Sequence, residues 1–281
     1  MTTREAINRL RDNLACAYDA REIEGMTRVI FEEVLLWKPV DIVMRDQEQL
    51  PIFFDTRLDG IIDRLLRNEP LQYILGKARF HGHSFTVTPA TLIPRPETEQ
   101  LVDMIVDQNP GTDLRVLDIG TGSGCIAISL ARALKFAHVT ATDISPQALA
   151  VAQQNASALK TRVNFVQQDI LNCPAPREAW NIIVSNPPYI TMSERVTMER
   201  NVLDYEPGSA LFVPDNDPML YYRPIASYAS QALVSGGRLY LEINRAMGNL
   251  VTQTLQQTGL KNVQLYNDFN GNTRFATAIK G

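Results

Sequence analysis

Cysteine is scarce in this chain. Three occur in 281 residues, Cys16, Cys125 and Cys173, too few and too scattered for a disulfide framework or a zinc site. A reducing, cytoplasmic setting is the expectation. Histidine is equally rare; His81 and His83 flank Gly82 in what reads as a hairpin turn, without an acidic or cysteine partner nearby, so no metal is expected. No unbroken apolar run reaches the length of a membrane span, and Met1-Thr2-Thr3-Arg4-Glu5 leads into an amphipathic pattern with no apolar signal core. Nor is there an excess of positive charge. Lys and Arg number 27 against 31 Asp and Glu, a net charge of −4, which disfavours binding a nucleic-acid backbone over a wide surface. Repeats and low-complexity tracts are absent. What remains is ordinary folded composition, 45% hydrophobic and 21% charged, with length enough for a small domain beside a standard α/β domain.

The first seventy or so residues read as helical. Thr2 with Glu5 forms a capping box ahead of Ile7, Leu10, Leu14 and Ala17 at helical spacing. Ile23, Met26, Ile30 and Val34 stripe a second helix. Phe54, Leu58, Ile61, Leu65 and Leu66 stripe a third, which Asn68-Glu69-Pro70 ends. The expected divisions are a helical bundle over 1–72, a β-hairpin linker over 73–94 around Gly76 and Gly82, and a larger domain over 95–281. A helix follows Pro94 and Pro96. Strands and helices then alternate: RVLDI at 115–119, HVTAT at 138–142, VNFVQ at 163–167, NIIVS at 181–185 and RLYLEI at 238–243, with helices from about Ser123, from Pro146 and over 217–234. Two short strands near 262–266 and 274–279 close the chain. This order implies an α/β fold, a mostly parallel, doubly wound sheet.

The sharpest motif lies at the end of the first strand of that sheet, Asp118-Ile119-Gly120-Thr121-Gly122-Ser123-Gly124. Glycines at 120, 122 and 124 remove Cβ atoms where a ligand must lie against the backbone. A dinucleotide loop would carry its third glycine at 125, where Cys125 stands, and the Lys-Ser/Thr of a P-loop is missing. Asp143, followed by Ile144, ends the second strand, where a carboxylate can accept hydrogen bonds from both ribose hydroxyls. Asp169 and Ile170 follow the third, placed to border an adenine. The alternative is that these aspartates only cap helices.

Asn186-Pro187-Pro188-Tyr189 follows the fourth strand directly. Two prolines fix the backbone and lack N–H donors, leaving carbonyls as acceptors, while Asn186 adds a side-chain carbonyl. Tyr189 offers a flat face. Two acceptors that hold an –NH2 group fix both its position and its plane. A delocalised nitrogen is a poor nucleophile, so alignment in line with a sulfonium methyl is most of what catalysis can supply. A primary amide and an adenine amine both suit such a site.

Gly120–Gly124 with Asn186–Tyr189 resembles the amino-methyltransferases, and nearly the whole chain resembles the bacterial peptide chain release factor N5-glutamine methyltransferases. Supporting segments are EPLQYILG at 69–76, LIPRPETE at 92–99, Tyr205-Glu206-Pro207, Tyr222-Arg223 and Leu241-Glu242-Ile243. The resemblance implies a Rossmann-like class I methyltransferase domain, with a mixed, mostly parallel seven-stranded sheet, behind a helical substrate-recognition domain. It implies an S-adenosylmethionine-dependent protein-glutamine N-methyltransferase. The cofactor positions would be Gly120, Thr121, Gly122, Ser123, Gly124, Asp143, Ile144, Asp169, Ile170 and Asn186. Substrate would meet Asn186, Pro187, Pro188 and Tyr189, with Asn186, Pro187 and Tyr189 catalytic. The partner would be a class I release factor, methylated on the glutamine of its Gly-Gly-Gln motif by a cytoplasmic monomer with no nucleic-acid substrate. A ribosomal-protein glutamine methyltransferase or a DNA adenine-N6 methyltransferase would use the same chemistry. Three positions depart from the family pattern: Asn244 replaces a usual glycine, Asp217-Pro218 a more common Asp-Gly, and Ile170 an aromatic found in some members.

Overall fold

The computed structural model describes residues 1–174 and 179–281. The chain divides into two compact units: Met1–Gly76 with Glu199–Tyr205, and Lys77–Met198 with Glu206–Gly281.

The first unit is helical: α1 (Thr3–Leu14), α2 (Ala20–Leu35), α3 (Pro39–Met44), α4 (Ile52–Leu65) and α5 (Leu71–Leu75). The Thr2–Glu5 box is present, Glu5 N–H donating to Thr2 Oγ1 at 3.3 Å and Thr2 N–H to the Glu5 carboxylate at 2.7 Å. Asp19 and Glu22 build the same device on α2. The apolar stripes meet in one core, where Leu10, Leu14, Ile30, Phe54 and Leu58 are buried and the Phe31 and Phe54 rings lie 5.1 Å apart. The sequence reading misses α3 and α5, six and five residues long, because neither completes enough turns to show a period. Consequently Tyr73–Leu75, expected in the hairpin, is helical, and the linker begins only after Gly76. Gly76 closes α5 at φ +70°, a conformation that glycine reaches without strain. Arg64 holds the connection by pairing both its Nε and Nη2 with Glu69.

The second unit opens with a hairpin, β1 (Lys77–Phe80) and β2 (His83–Thr86). His81 and Gly82 both take positive φ, +47° and +74°, as a two-residue turn between right-twisted strands demands. In chain order follow α6 (Pro96–Gln108), β3 (Arg115–Ile119), α7 (Cys125–Ala133), β4 (His138–Asp143), α8 (Pro146–Ala158), β5 (Asn164–Gln167), β6 (Trp180–Ser185), β7 (Ile190–Thr191), α9 (Arg200–Tyr205), β8 (Phe212–Val213), α10 (Tyr222–Ala232), β9 (Leu233–Glu242), α11 (Gly248–Gln257), β10 (Lys261–Asn267) and β11 (Thr273–Ile279). Of these, α9 groups with the helical unit, where Tyr205 Oη donates to the Arg67 carbonyl at 2.8 Å.

Seven strands form the sheet in the order β10-β11-β9-β6-β3-β4-β5. The five from β9 to β5 are parallel, and β11 runs antiparallel to both its neighbours. Successive side chains on β6 enter opposite cores: Ile182 and Val184 pack with α6 and α7, Ile183 with α10 and α11. Burial on both faces explains why β3 and β6 read as continuous apolar runs. The helix expected from Asp217 starts at Tyr222, because residues 217–221 are taken up by turns (Asp217 N–H to the Pro214 carbonyl, Leu220 N–H to that of Asp217). Its last expected residues, Leu233 and Val234, belong to β9.

Candidate functional site

From β3 the chain steps outward to β4 and β5 on one side, then returns to β6 and β9 on the other. The carboxyl ends of β3 and β6 therefore flank the point where winding reverses, the place where open α/β sheets receive ligands. A cleft of about 360 Å³ lies there.

The loop after β3 forms one wall. Gly120 and Gly122 have φ of +75° and +55°, and where a Cβ would project there is open space. Both line the cleft, so a side chain at either would occupy ligand volume. The N–H groups of Gly120 and Thr121 both donate to the Thr142 carbonyl at 2.9 Å, which holds the loop against the end of β4. Below it, Asp118 is fully buried and accepts Thr121 Oγ1 at 2.7 Å. Burial pushes its carboxyl up to about 7, against the lowering effect of the Thr121 hydrogen bond. Gly124 does a different job. It lies outside the cleft lining, and a Cβ there would come within 3.0 Å of Ala152 Cβ on α8.

Asp143 faces the cleft at the end of β4. Its Oδ2 accepts from Gly122 N–H and its Oδ1 from Ser145 N–H, both at 2.9 Å. The cap of α8 is Ser145, whose Oγ accepts from Ala148 N–H, so Asp143 ties the glycine loop to the strand end instead of capping. Asp169 accepts Leu171 N–H at 2.9 Å and lines the cleft with Ile144 and Ile170. Thr121 and Ser123 complete this wall.

On the opposite wall stand Asn186, Pro187 and Pro188. Tyr189 is outside the lining, and its hydroxyl donates to Glu242 at 2.9 Å. Burial, with the Glu242 charge beside it, holds this phenol well above its ordinary range. Glu242 is itself buried and also accepts Thr98 Oγ1 at 2.7 Å. Burial raises its carboxyl, opposed by the Thr98 and Tyr189 hydroxyls and by the Arg274 charge. Thr98 Oγ1 in turn receives Asn186 Nδ2 at 3.3 Å.

Thr98, itself part of the cleft lining, and Glu242 and Arg274 behind it thus support the motif residues without having been singled out as site residues. Thr98 and Glu242 lay inside segments that carried the family resemblance, but their partners are remote in sequence. The pair Arg95–Glu206, at 2.6 Å, is of the same kind; Glu206 also accepts Ile93 N–H and so fixes the cleft segment at 93–95. Asn244 is not a defect in the pattern. Its Nδ2 lies 3.2 Å from the Tyr189 carbonyl and 3.0 Å from Glu194, and its N–H donates to Tyr222 Oη. The hairpin histidines do have partners: His81 Nε2 is 3.0 Å from Asp103, and His83 receives Arg132 Nε at 3.0 Å.

Residues 5–76 match the family model described as the PrmC N-terminal domain, and residues 96–203 match the methyltransferase small domain. The release factor glutamine methyltransferase of Bacteroides thetaiotaomicron is 44% identical over 270 residues, 96% of this chain and 97% of that one. The chain belongs to the release factor glutamine methyltransferase family. The Flavobacterium psychrophilum release factor glutamine methyltransferase is 42% identical over 265 residues, 93% of each chain. Beyond the family, the fold is shared with the T. thermophilus 16S rRNA N2 G1207 methyltransferase, solved with AdoMet and guanosine. That likeness has a TM-score of 0.54 at 18% identity, over 73% of this chain and 50% of the other. In this release factor glutamine methyltransferase family member, the N-terminal domain match ends at Gly76, the cap of α5 and the last residue of the first segment of the helical unit.

Proposed function

We propose that this chain transfers a methyl group from S-adenosylmethionine to the side-chain amide nitrogen of the glutamine in the Gly-Gly-Gln motif of a class I release factor. The observation that carries the reading is the pairing, across one cleft, of a side-chain-free glycine loop with the Asn186 amide. The open space beside Gly120 and Gly122 and the carboxylate of Asp143 fit a nucleoside-bearing cofactor. On this reading Asp143 takes the ribose hydroxyls, Ile144, Asp169 and Ile170 border the adenine, and Thr121 and Ser123 flank the amino-acid part. S-adenosylmethionine supplies a methyl group on a positively charged sulfur. The chain's own part is to present two acceptors, Asn186 Oδ1 and the Pro187 carbonyl, to the two hydrogens of the substrate –NH2. That hold fixes the nitrogen's plane and aims its lone pair. Pro188 stiffens the turn, and Tyr189 shapes the wall behind it. A glutamine flanked by glycines reaches such a cleft readily, because the missing side chains let its loop thread inward.

The reading takes the enzyme as a monomer and places it in the cytoplasm, the latter supported by three free cysteines, and gives it a protein and no nucleic-acid substrate, supported by the net charge of −4. It gives the helical unit substrate recognition, supported by the exposed Leu36, Val43, Met44 and Ile52. Mass spectrometry of release factor incubated with enzyme and S-adenosylmethionine should find one added methyl on that glutamine, and none once it is alanine. Polar substitution of Leu36, Val43 and Met44 should raise KM and leave kcat alone. Methylation of a ribosomal protein or duplex DNA, with release factor untouched, would overturn the assignment.

Asp143→Ala is expected to weaken S-adenosylmethionine binding. A hydrogen bond to a charged acceptor contributes about 1.5–3 kcal/mol, which corresponds to roughly 10- to 100-fold in affinity. The loss should lie toward the upper end, because the same carboxylate braces Gly122. Titration calorimetry showing unchanged affinity would remove Asp143 from the ribose position.

A further inference from the structure

We propose that Thr98 and Glu242 are positioning residues that decide which end of the Asn186 amide faces the cleft. The argument is one of hydrogen-bond polarity. Glu242 lies at the end of β9, Thr98 in the first turn of α6 and Asn186 just past β6, so three separate elements converge. Both Glu242 oxygens are occupied, Oε2 by Thr98 Oγ1 at 2.7 Å and Oε1 by Tyr189 Oη at 2.9 Å. Against its burial, the two hydroxyls and the Arg274 charge favour the ionised form of Glu242, and an ionised carboxylate only accepts, so both hydroxyls donate to it. Thr98 has a single proton, and the shorter, charge-assisted bond takes it. What remains on Thr98 Oγ1 toward Asn186 is a lone pair, 3.3 Å from the amide. Only the –NH2 end of Asn186 can meet a lone pair. The carbonyl end is therefore turned the other way, toward the cleft. Arg274 keeps the same direction at the far end, Nη1 lying 3.4 Å from Tyr189 Oη as a donor.

An amide rotated by half a turn would show –NH2 to the cleft. Donor would then meet donor, and an –NH2 substrate could not be held. The two ends of an asparagine side chain are nearly identical in shape, so packing alone cannot choose between them. The buried carboxylate makes the choice, acting through one hydroxyl. Neither Thr98 nor Glu242 is placed against the substrate nitrogen in this scheme.

This inference rests on the proposed reaction, so wild-type methylation of release factor is the control that separates the two. Failure there sinks the reading itself, whatever the variants do. With the control positive, Thr98→Val keeps the shape and removes the hydroxyl. It should lower kcat roughly 10- to 100-fold through lost alignment of the nucleophile. S-adenosylmethionine affinity, read by calorimetry, and KM for release factor should stay within about three-fold, since binding common to ground and transition states is retained. Thr98→Ser restores the hydroxyl and should bring kcat back to within about three-fold of wild type. Glu242→Gln gives a second route if the valine variant does not fold. Arg274 already donates to Tyr189 Oη, whose own proton needs the glutamine carbonyl, so the new –NH2 faces Thr98, frees the Thr98 proton for Asn186 and turns the amide round, and kcat should again fall at least about 10-fold. Wild-type kcat in Thr98→Val or in folded Glu242→Gln would overturn the proposal, as would a serine variant as impaired as the valine one.

Discussion

Asn186→Ala is expected to lower kcat by roughly 10²–10³-fold, the usual loss when one preorganised hydrogen-bonding group is removed from a reacting centre. The substitution is local. Asn186 follows β6 and makes one side-chain hydrogen bond, to Thr98, so its removal leaves Ile182, Ile183 and Val184 in their cores. The Pro187 carbonyl stays in place because the proline ring still fixes the turn. What disappears, on the proposed reading, is one of the two acceptors that hold the –NH2 plane. An amide nitrogen whose lone pair is delocalised gains its reactivity from that hold, so the effect belongs to the transition state and appears in kcat. S-adenosylmethionine affinity should change by less than about five-fold, because Asp143 and the glycine loop are untouched. Rapid-quench measurement of a single turnover separates this from slower product release. If the single-turnover rate stays within about three-fold of wild type, Asn186 does not align the nucleophile.

Gly124→Ala should destabilise the larger unit on two counts. At φ +82° the residue is left-handed, which an L side chain adopts at a cost of about 1–2 kcal/mol. The new Cβ would also come 3.0 Å from Ala152 Cβ, 3.1 Å from Ile128 Cδ1 and 3.3 Å from Ala152 Cα. Ile128 can shift, but Ala152 is fully buried on α8 and its backbone cannot retreat without moving the helix. Overpacking of this kind adds about 1–3 kcal/mol. Together the two give about 2–5 kcal/mol, or roughly 5–15 °C in Tm for a domain of this size. Gly122→Ala is the contrast. Its Cβ would meet open space, so the steric cost is absent and only the backbone strain at φ +55° remains, while the cleft loses volume. Calorimetric Tm values that fall equally in both variants would contradict the distinction.

The different fates of these two glycines show where sequence reading stops. All three glycines stood in one motif, and the motif placed the loop correctly at the end of β3. It could not show that Gly120 and Gly122 face the cleft while Gly124 faces a helix, because Ala152 lies 28 residues further on. The strands were legible for a simple reason: a parallel strand buried on both faces leaves an unbroken apolar run, as in RVLDI and NIIVS. The short α3 and α5 carry no such period. Local chemistry read well where its partners are local. The Thr2–Glu5 box was visible three residues apart, whereas Thr98 and Glu242 are 144 residues apart and acquire meaning only when α6 and β9 meet. Asn244 teaches the same lesson. A departure from pattern could not be judged from the sequence, yet its amide contacts the Tyr189 carbonyl and Glu194.

The strand order also sets a sequence of events for the growing chain. β3, β4 and β5 are neighbours both in the sheet and along the polypeptide, so the wall carrying the glycine loop and Asp143 can assemble from early, local pairings. β6 must wait for β9, which leaves the biosynthetic machinery some fifty residues later and brings Glu242 with it. Until then one edge of β6 stands open, and the segment bearing Asn186 has no buried carboxylate behind it. Synthesis of the chain thus makes the glycine-loop wall available before the Asn186 wall, and a nascent chain stopped before β9 lacks the strand that pairs with β6 and carries Glu242.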